Sequence, residues 1–231
     1  MQFNVNAIVL KSERVGESDK RLSIYTRERG RLWALAPGAA RPRARLAPAT
    51  EPCVEARFRL WAIPDNPFAR ITGGALTSAF PLLRADWDRM TSGIFLCEWT
   101  DRLTPLEQTH AAKYELLRRS LAALEWSDDR PVVLAFLTQF LEQAGYVVGD
   151  EVLGAAHHAR FRSLVADLRG YDFSTPFPEL DEGVDGLEER LLRFVTPLLR
   201  EPLKTLQHRK NLRMFMEKTH SPTAEPAPAR N

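Results

Sequence analysis

The chain has 231 residues, enough to bury a sizeable core in one large domain or a few small ones. No apolar run approaches the roughly 18 residues that a membrane span needs, and the first residues do not read as a leader, so a soluble cytoplasmic protein is expected. The net charge of +2 hides an asymmetry, because residues 1–80 carry thirteen Lys and Arg against seven Asp and Glu, whereas residues 81–231 carry nineteen against twenty-three.

Phe3, Val5, Ala7 and Val9 alternate with Asn4, Asn6, Ile8 and Leu10. This predicts a strand that is polar on its outer face at first, buried on both faces later, and finished near Lys11. Gly16 marks a turn. Lys20 to Arg27 and Arg31 to Ala36 read as a hairpin joined through Glu28, Arg29 and Gly30. The stretch PGAARPRARLAPATEP, residues 37–52, holds four prolines. Its Arg41, Arg43 and Arg45 alternate, and they are expected to project together from an extended surface loop. Glu55, Arg57 and Arg59 then alternate with Val54, Ala56, Phe58 and Leu60, which is a strand with one basic face. Asp65, Asn66 and Pro67 turn the chain into a fifth strand, Phe68 to Thr77, interrupted by Gly73 and Gly74.

After Pro81 the apolar period becomes helical. Trp87, Met90, Ile94, Cys97 and Asp101 follow a 3.6-residue rhythm that Pro105 closes. A second helix is predicted from His110 to Leu124. A third has Ser127 to Asp129 as caps, Pro131 in its first turn and Gly145 as its stop. Ala155 to Leu168 reads as helix ending at Gly170, Tyr171 to Asp185 as an acidic loop, and Leu187 to Leu199 as an amphipathic helix. A basic segment, Pro202 to Lys218, follows, and the tail SPTAEPAPARN is expected to be disordered. The expected organisation is a barrel over 1–80, a helical domain over 81–220 with a degenerate insertion near 146–186, and a tail over 221–231.

Little in this chain points to catalysis. Cys53 and Cys97 are the two cysteines and form no CxxC, so neither a disulfide framework nor a cysteine zinc site is indicated. His157 and His158 lie near Asp150 and Glu151, but adjacent histidines need two further placed ligands to make a tetrahedral site, so they read as surface residues of a helix. The acidic run Asp181, Glu182, Asp185, Glu188 and Glu189 reads as a solvated turn and a helix start favoured by the helix dipole. With no nucleophile elbow or phosphate loop, no enzyme activity, cofactor or metal is expected.

The front cations carry the functional expectation. Lys11, Arg14, Lys20, Arg21, Arg27, Arg29, Arg31, Arg41, Arg43, Arg45, Arg57 and Arg59 lie on the strands and loops that a small barrel offers to a nucleic acid, where they would neutralise phosphates and release counterions. Most are arginine, whose planar fork suits phosphate and stacks on bases. Tyr25, Trp33 and Trp61 could stack bases, but Trp33 and Trp61 fit rim or core packing better, because large aromatics in a small barrel usually fill its interior. Lys204, Arg209, Lys210 and Arg213 form a second candidate basic surface.

The order and spacing of AIVL, GESDKRLSIYTRERGRL and LAPGAARPRARL, followed by helices, resembles the bacterial recombination mediator RecO family; the likeness continues more weakly through FLEQAG and EPLKTLQHRKNLRMFM. The resemblance implies an α+β protein, an N-terminal OB-fold β-barrel followed by an all-helical domain. Many members carry a zinc-ribbon insertion there, and its cysteines are absent here. It also implies a non-enzymatic protein that binds single- and double-stranded DNA, anneals strands coated with the single-stranded-DNA-binding protein SSB, and helps RecR load RecA. The acidic, apolar-ended SSB tail calls for an apolar groove beside cations. Arg130 with Leu134, Leu137 and Leu141, or Arg118 and Arg119 beside Leu121, are the candidates. The expectation is a monomer associated with the nucleoid, and the alternative is a protein-interaction adaptor whose barrel binds another protein.

Overall fold

Alternation sets the barrel. In β1 (Gln2–Val15), Val5, Ala7 and Val9 point inward, while on the other face Asn4 is exposed and Ile8 and Leu10 are buried. The structure, a computed structural model, describes residues 1–62, 68–178, 180, 184–199 and 201–206, with the backbone alone at 151, 156–158, 160 and 185. β1 continues past its predicted end at Lys11. A bulge between Val9 and Lys11 lets it leave β4 (Glu55–Trp61) and extend its pairing with β2 (Asp19–Thr26) to Val15. The sequence KSERV hides this arm because solvent covers much of both faces, so no apolar rhythm marks it.

β3 (Gly30–Ala36) pairs antiparallel with β2 and, through Trp33–Leu35, parallel with β5 (Phe68–Ser78). β5 returns along β4, which closes the sheet in the order β1-β2-β3-β5-β4. That is the five-stranded barrel of an OB-fold. Its interior is filled by Leu22, Ile24, Ala34, Phe58, Leu60 and Ile71 with the inner face of β1.

The loop after β3 is not extended. The N–H groups of Arg41, Ala44 and Ala47 donate to the carbonyls of Gly38, Arg41 and Ala44, giving successive turns before a 3-10 turn at Ala47–Thr50. Arg43 takes a left-handed conformation, φ +59°. The alternating arginines therefore do not form one comb, since each turn re-aims the chain.

Beyond the barrel come α1 (Pro81–Ala85), α2 (Trp87–Leu103), α3 (Ala111–Ala123), α4 (Asp129–Gln143), α5 (Asp150–Leu153), α6 (Ala155–Gly170) and α7 (Asp185–Val195). Local chemistry sets several of the limits. The Asp86 carboxylate accepts from the Arg89 N–H at the start of α2, His110 Nδ1 accepts from the Lys113 N–H at the start of α3, and Gly145 at φ +94° follows α4. The helix predicted over 187–199 is α7, which starts two residues earlier and gives way after Val195 to a 3-10 turn at Thr196–Leu198. Phe161, Val165 and Leu168 of α6 share one buried cluster with α2, α3 and α4, so the stretch expected as an insertion contributes to the helical core.

That cluster also takes in Ile8, Leu10, Tyr25 and Cys53, so the outer face of β1 and β2 is part of the helical core. The seam carries polar links as well. Arg31 pairs with Asp101 at 2.9 Å and donates to the Thr104 carbonyl at 2.8 Å, Ser23 donates to Asp101 at 2.6 Å, and Tyr114 donates to Glu55 at 2.9 Å. Gly30 is required here. At φ +69°, a Cβ would stand 2.1 Å from the Gln108 carbonyl oxygen. Cys53 and Cys97, buried and free, lie with their sulfurs 3.5 Å apart in the same seam.

Candidate nucleic-acid interface

The outward positions of β4 are Arg57, Arg59 and Trp61, which alternate with buried Ala56, Phe58 and Leu60. The register brings other residues beside them. Trp61 opposes Arg70, Arg70 opposes Leu35, and Leu35 opposes Arg21, which makes one row across four strands. At about 4.8 Å per inter-strand step the row spans about 14 Å. Next to it, Trp33 opposes Phe68 with ring centroids 6.4 Å apart, and the Arg21 guanidinium lies 5.5 Å from the Trp33 ring. Trp61 and Phe68 are each 43% exposed.

Arg57, Arg59 and Arg70 are exposed and carry no ion pair among the described residues. A surface that interleaves free guanidinium groups with exposed rings can neutralise phosphates and stack bases at once. Arg70 and Phe68 were not among the residues singled out from sequence. Their signal was there, because Arg70 sits between buried Ala69 and Ile71, but the glycine pair that follows obscures the period.

The remaining candidates divide by their contacts. Arg41, Arg43 and Arg45 are exposed, with no ion pair among the described residues. Arg41 is also near the row. Asp19, held below the usual carboxylate range by the Gly38 N–H and then by the Ser18 hydroxyl, feels both Arg41 and Arg70. Arg14 donates to the Ala40 carbonyl and steadies that loop at 3.3 Å. Lys204 is exposed and lines a cleft of about 680 Å³ with Lys11 and Trp33, which brings it to the edge of the same surface. Arg209, Lys210 and Arg213 lie outside the described residues.

Other cations are committed elsewhere. Lys20, almost enclosed, pairs with Glu51 at 2.7 Å and donates to Thr50. Arg31 is locked in the seam. Arg27 approaches Glu115 at 3.7 Å, and Arg29 lies 4.1 Å from the Phe3 ring. Tyr25 is buried, donates to the His110 carbonyl and packs 6.4 Å from Tyr114, so it cannot stack a base; burial pushes its hydroxyl up to about 12.

Lys11 and Arg21 both pair with Glu13, Arg21 at 2.6 Å. The hydrogen bond from Lys11, then that from Arg21, holds the Glu13 carboxyl down to about 2. Glu13 thus cancels charge at one end of the row. Glu13→Gln is expected to tighten oligonucleotide binding and, where a released cation takes a phosphate, to steepen its salt dependence by about 0.7 logarithmic units. Anisotropy titrations over a salt series check this, and weaker binding would contradict it.

The expected partner groove needs correction. Leu134, Leu137 and Leu141 are fully buried in the helical core, as is Leu121, and Arg118 pairs with Glu115 at 2.8 Å, so neither leucine set offers a groove. One described feature in the helical domain that combines apolar walls with cations is a cavity of about 450 Å³ lined by Arg102, Leu103, Lys113, Phe140 and Tyr146. Lys113 is nearly buried there, 4.8 Å from the Phe140 ring, and burial lowers its pKa. Arg130 lies on α4 and takes no part in that lining. The side chains of His157 and His158 lie outside the described residues, and among the described ones no three His, Cys, Asp or Glu gather as a metal group. No described helix is long and apolar enough to cross a membrane.

Residues 1–80 match the family model described as Recombination protein O N terminal, and residues 84–148 match Recombination protein O C terminal. The chain is 32% identical over 148 residues to the DNA repair protein RecO of Symbiobacterium thermophilum, covering 62% of this chain and 57% of that relative. For the protein of the same name from Pelotomaculum thermopropionicum the figures are 31% over 144 residues, with 62% and 56% covered. Against that of a Nocardioides species they are 31% over 170 residues, with 72% and 67% covered. The matched stretch thus spans little more than half the length of the first two relatives.

Proposed function

From the premise that the chain belongs to the RecO family of DNA repair proteins, we propose that its barrel binds DNA through the arginine and aromatic strip on β4, β5 and β3. The observation that carries this reading is the set Arg57, Arg59 and Arg70, which make no ion pair among the described residues and are interleaved with exposed Trp61 and Phe68. A single strand lies across the row with bases against the rings and phosphates toward the guanidinium groups. A duplex engages the same cations through its backbone alone.

In this reading the protein is a mediator with no catalysis of its own. It holds strands released from SSB so that complementary ones anneal, and together with RecR it helps load RecA. The groove at Arg102, Lys113 and Phe140 supports docking of the SSB tail, because its apolar walls suit the terminal residues and Lys113 suits the acidic ones, whereas Arg102 is already paired with Glu201 at 2.8 Å.

The test is binding of a labelled oligonucleotide over a salt series, followed by annealing of complementary SSB-coated strands. Affinity that falls steeply with salt, with faster annealing, is the expected result. Negligible binding in dilute buffer would leave the adaptor as the better account.

A further inference from the structure

Three large apolar side chains stand in solvent where α1, the start of α2 and the turn between α3 and α4 meet. Trp87 is 71% exposed, Leu82 57% and Trp126 43%. Hydrogen bonds to Glu125 gather them. The Leu82 N–H donates to Glu125 Oε1 at 3.1 Å, and the Arg89 guanidinium donates to the Glu125 carbonyl, which fixes the residue before Trp126 against both helices.

The border of this patch is acidic. Asp86, Asp88 and Asp128 are exposed around it. Of the guanidinium groups nearby, Arg84 donates to the Ala79 and Pro52 carbonyls and Arg89 to that of Glu125, so these two take no carboxylate of the rim. The carboxyl of Asp88 is raised above its usual range by burial and then by Asp86 and Asp129, as crowded like charges require. Exposed tryptophans inside a charged rim are the composition of an interface anchor, and a negative rim repels a phosphate chain.

We propose that this face docks a basic segment of a partner protein, whose Lys and Arg face Asp86, Asp88 and Asp128 while its apolar residues sit on Trp87, Trp126 and Leu82. Charge complementarity selects the occupant, and its sign is opposite to that of the barrel strip. The surface is therefore independent of the DNA reading.

The full chain is titrated with a labelled amphipathic peptide of Lys and Leu and with its counterpart carrying Glu for Lys. The basic peptide is expected to bind and the acidic one not. Trp87→Ala with Trp126→Ala should weaken the basic peptide by at least about tenfold, and Asp88→Asn with Asp128→Asn should weaken it and flatten its salt dependence. Oligonucleotide affinity and the thermal transition should stay unchanged in both variants. Equal binding of the two peptides, or peptide affinity untouched by the tryptophan substitutions, overturns the proposal. So does light scattering that shows the unmodified chain dimeric and the tryptophan variant monomeric, which would assign the face to a second copy.

Discussion

Replacing Arg57, Arg59 and Arg70 together with alanine should flatten the salt dependence of single-strand binding by about two logarithmic units, since each phosphate contact on a single strand contributes about 0.7. Arg57 and Arg59 share the outward face of β4 with Trp61, register sets Arg70 beside Trp61, and none of the three is in an ion pair among the described residues, so their charge is available in a way that of Lys20 or Arg31 is not. Trp61→Ala should act differently. Loss of one stacking platform costs about 1–3 kcal/mol of binding and leaves the salt slope nearly unchanged, because no charge is removed. Anisotropy titrations at four or more salt concentrations separate the two effects. A triple variant with the original slope would place the DNA elsewhere, the loop at Arg41, Arg43 and Arg45 being the next surface to test.

The second large effect is on stability. Asp101→Ala should destabilise the protein by about 3 kcal/mol, because it strands the guanidinium of Arg31 in a nearly enclosed site and removes the acceptor of the Ser23 hydroxyl. Side-chain exposures of 16% for Arg31 and 13% for Asp101 mean that solvent screens the pair little. Urea unfolding followed by circular dichroism measures the change. Substituting Arg31 and Asp101 together by apolar residues of similar size should recover part of the loss, since the uncompensated charge is then gone. The salt slope of DNA binding, measured well below the thermal transition, should match that of the unsubstituted chain in both variants. A loss of slope with Arg31→Ala would return this residue to the DNA-binding surface. The contrast matters because both kinds of arginine look alike along the chain.

How far the chain could be read without its fold follows from where the signals are local. Alternation in NVNAIVL and EARFRLW marks strands because a pleated chain puts successive side chains on opposite faces. Leu32 and Ala34 are buried as that rhythm requires, and the capping signals around Asp128, Pro131 and Gly145 mark the ends of α4. The first strand reads as polar on its outer face at first and buried on both faces later, and the helical core does cover Ile8 and Leu10. The arm from Lys11 to Val15 escaped because a solvated hairpin carries no apolar period.

What the linear order determined, then, is the succession of strands and helices, the excess of positive charge at the front and the alternation that turns Arg57 and Arg59 outward. All of these depend on neighbours within a few residues. Which cations remain free was decided only when β5 closed the barrel and the helices packed against β1 and β2. Arg70 joined Trp61 through strand register, Arg31 met Asp101 across 70 positions, and Glu13 captured Lys11 and Arg21. A charge's availability depends on which opposite charge lies within a few ångströms, and for a residue whose partner is remote in sequence only the folded chain fixes that distance.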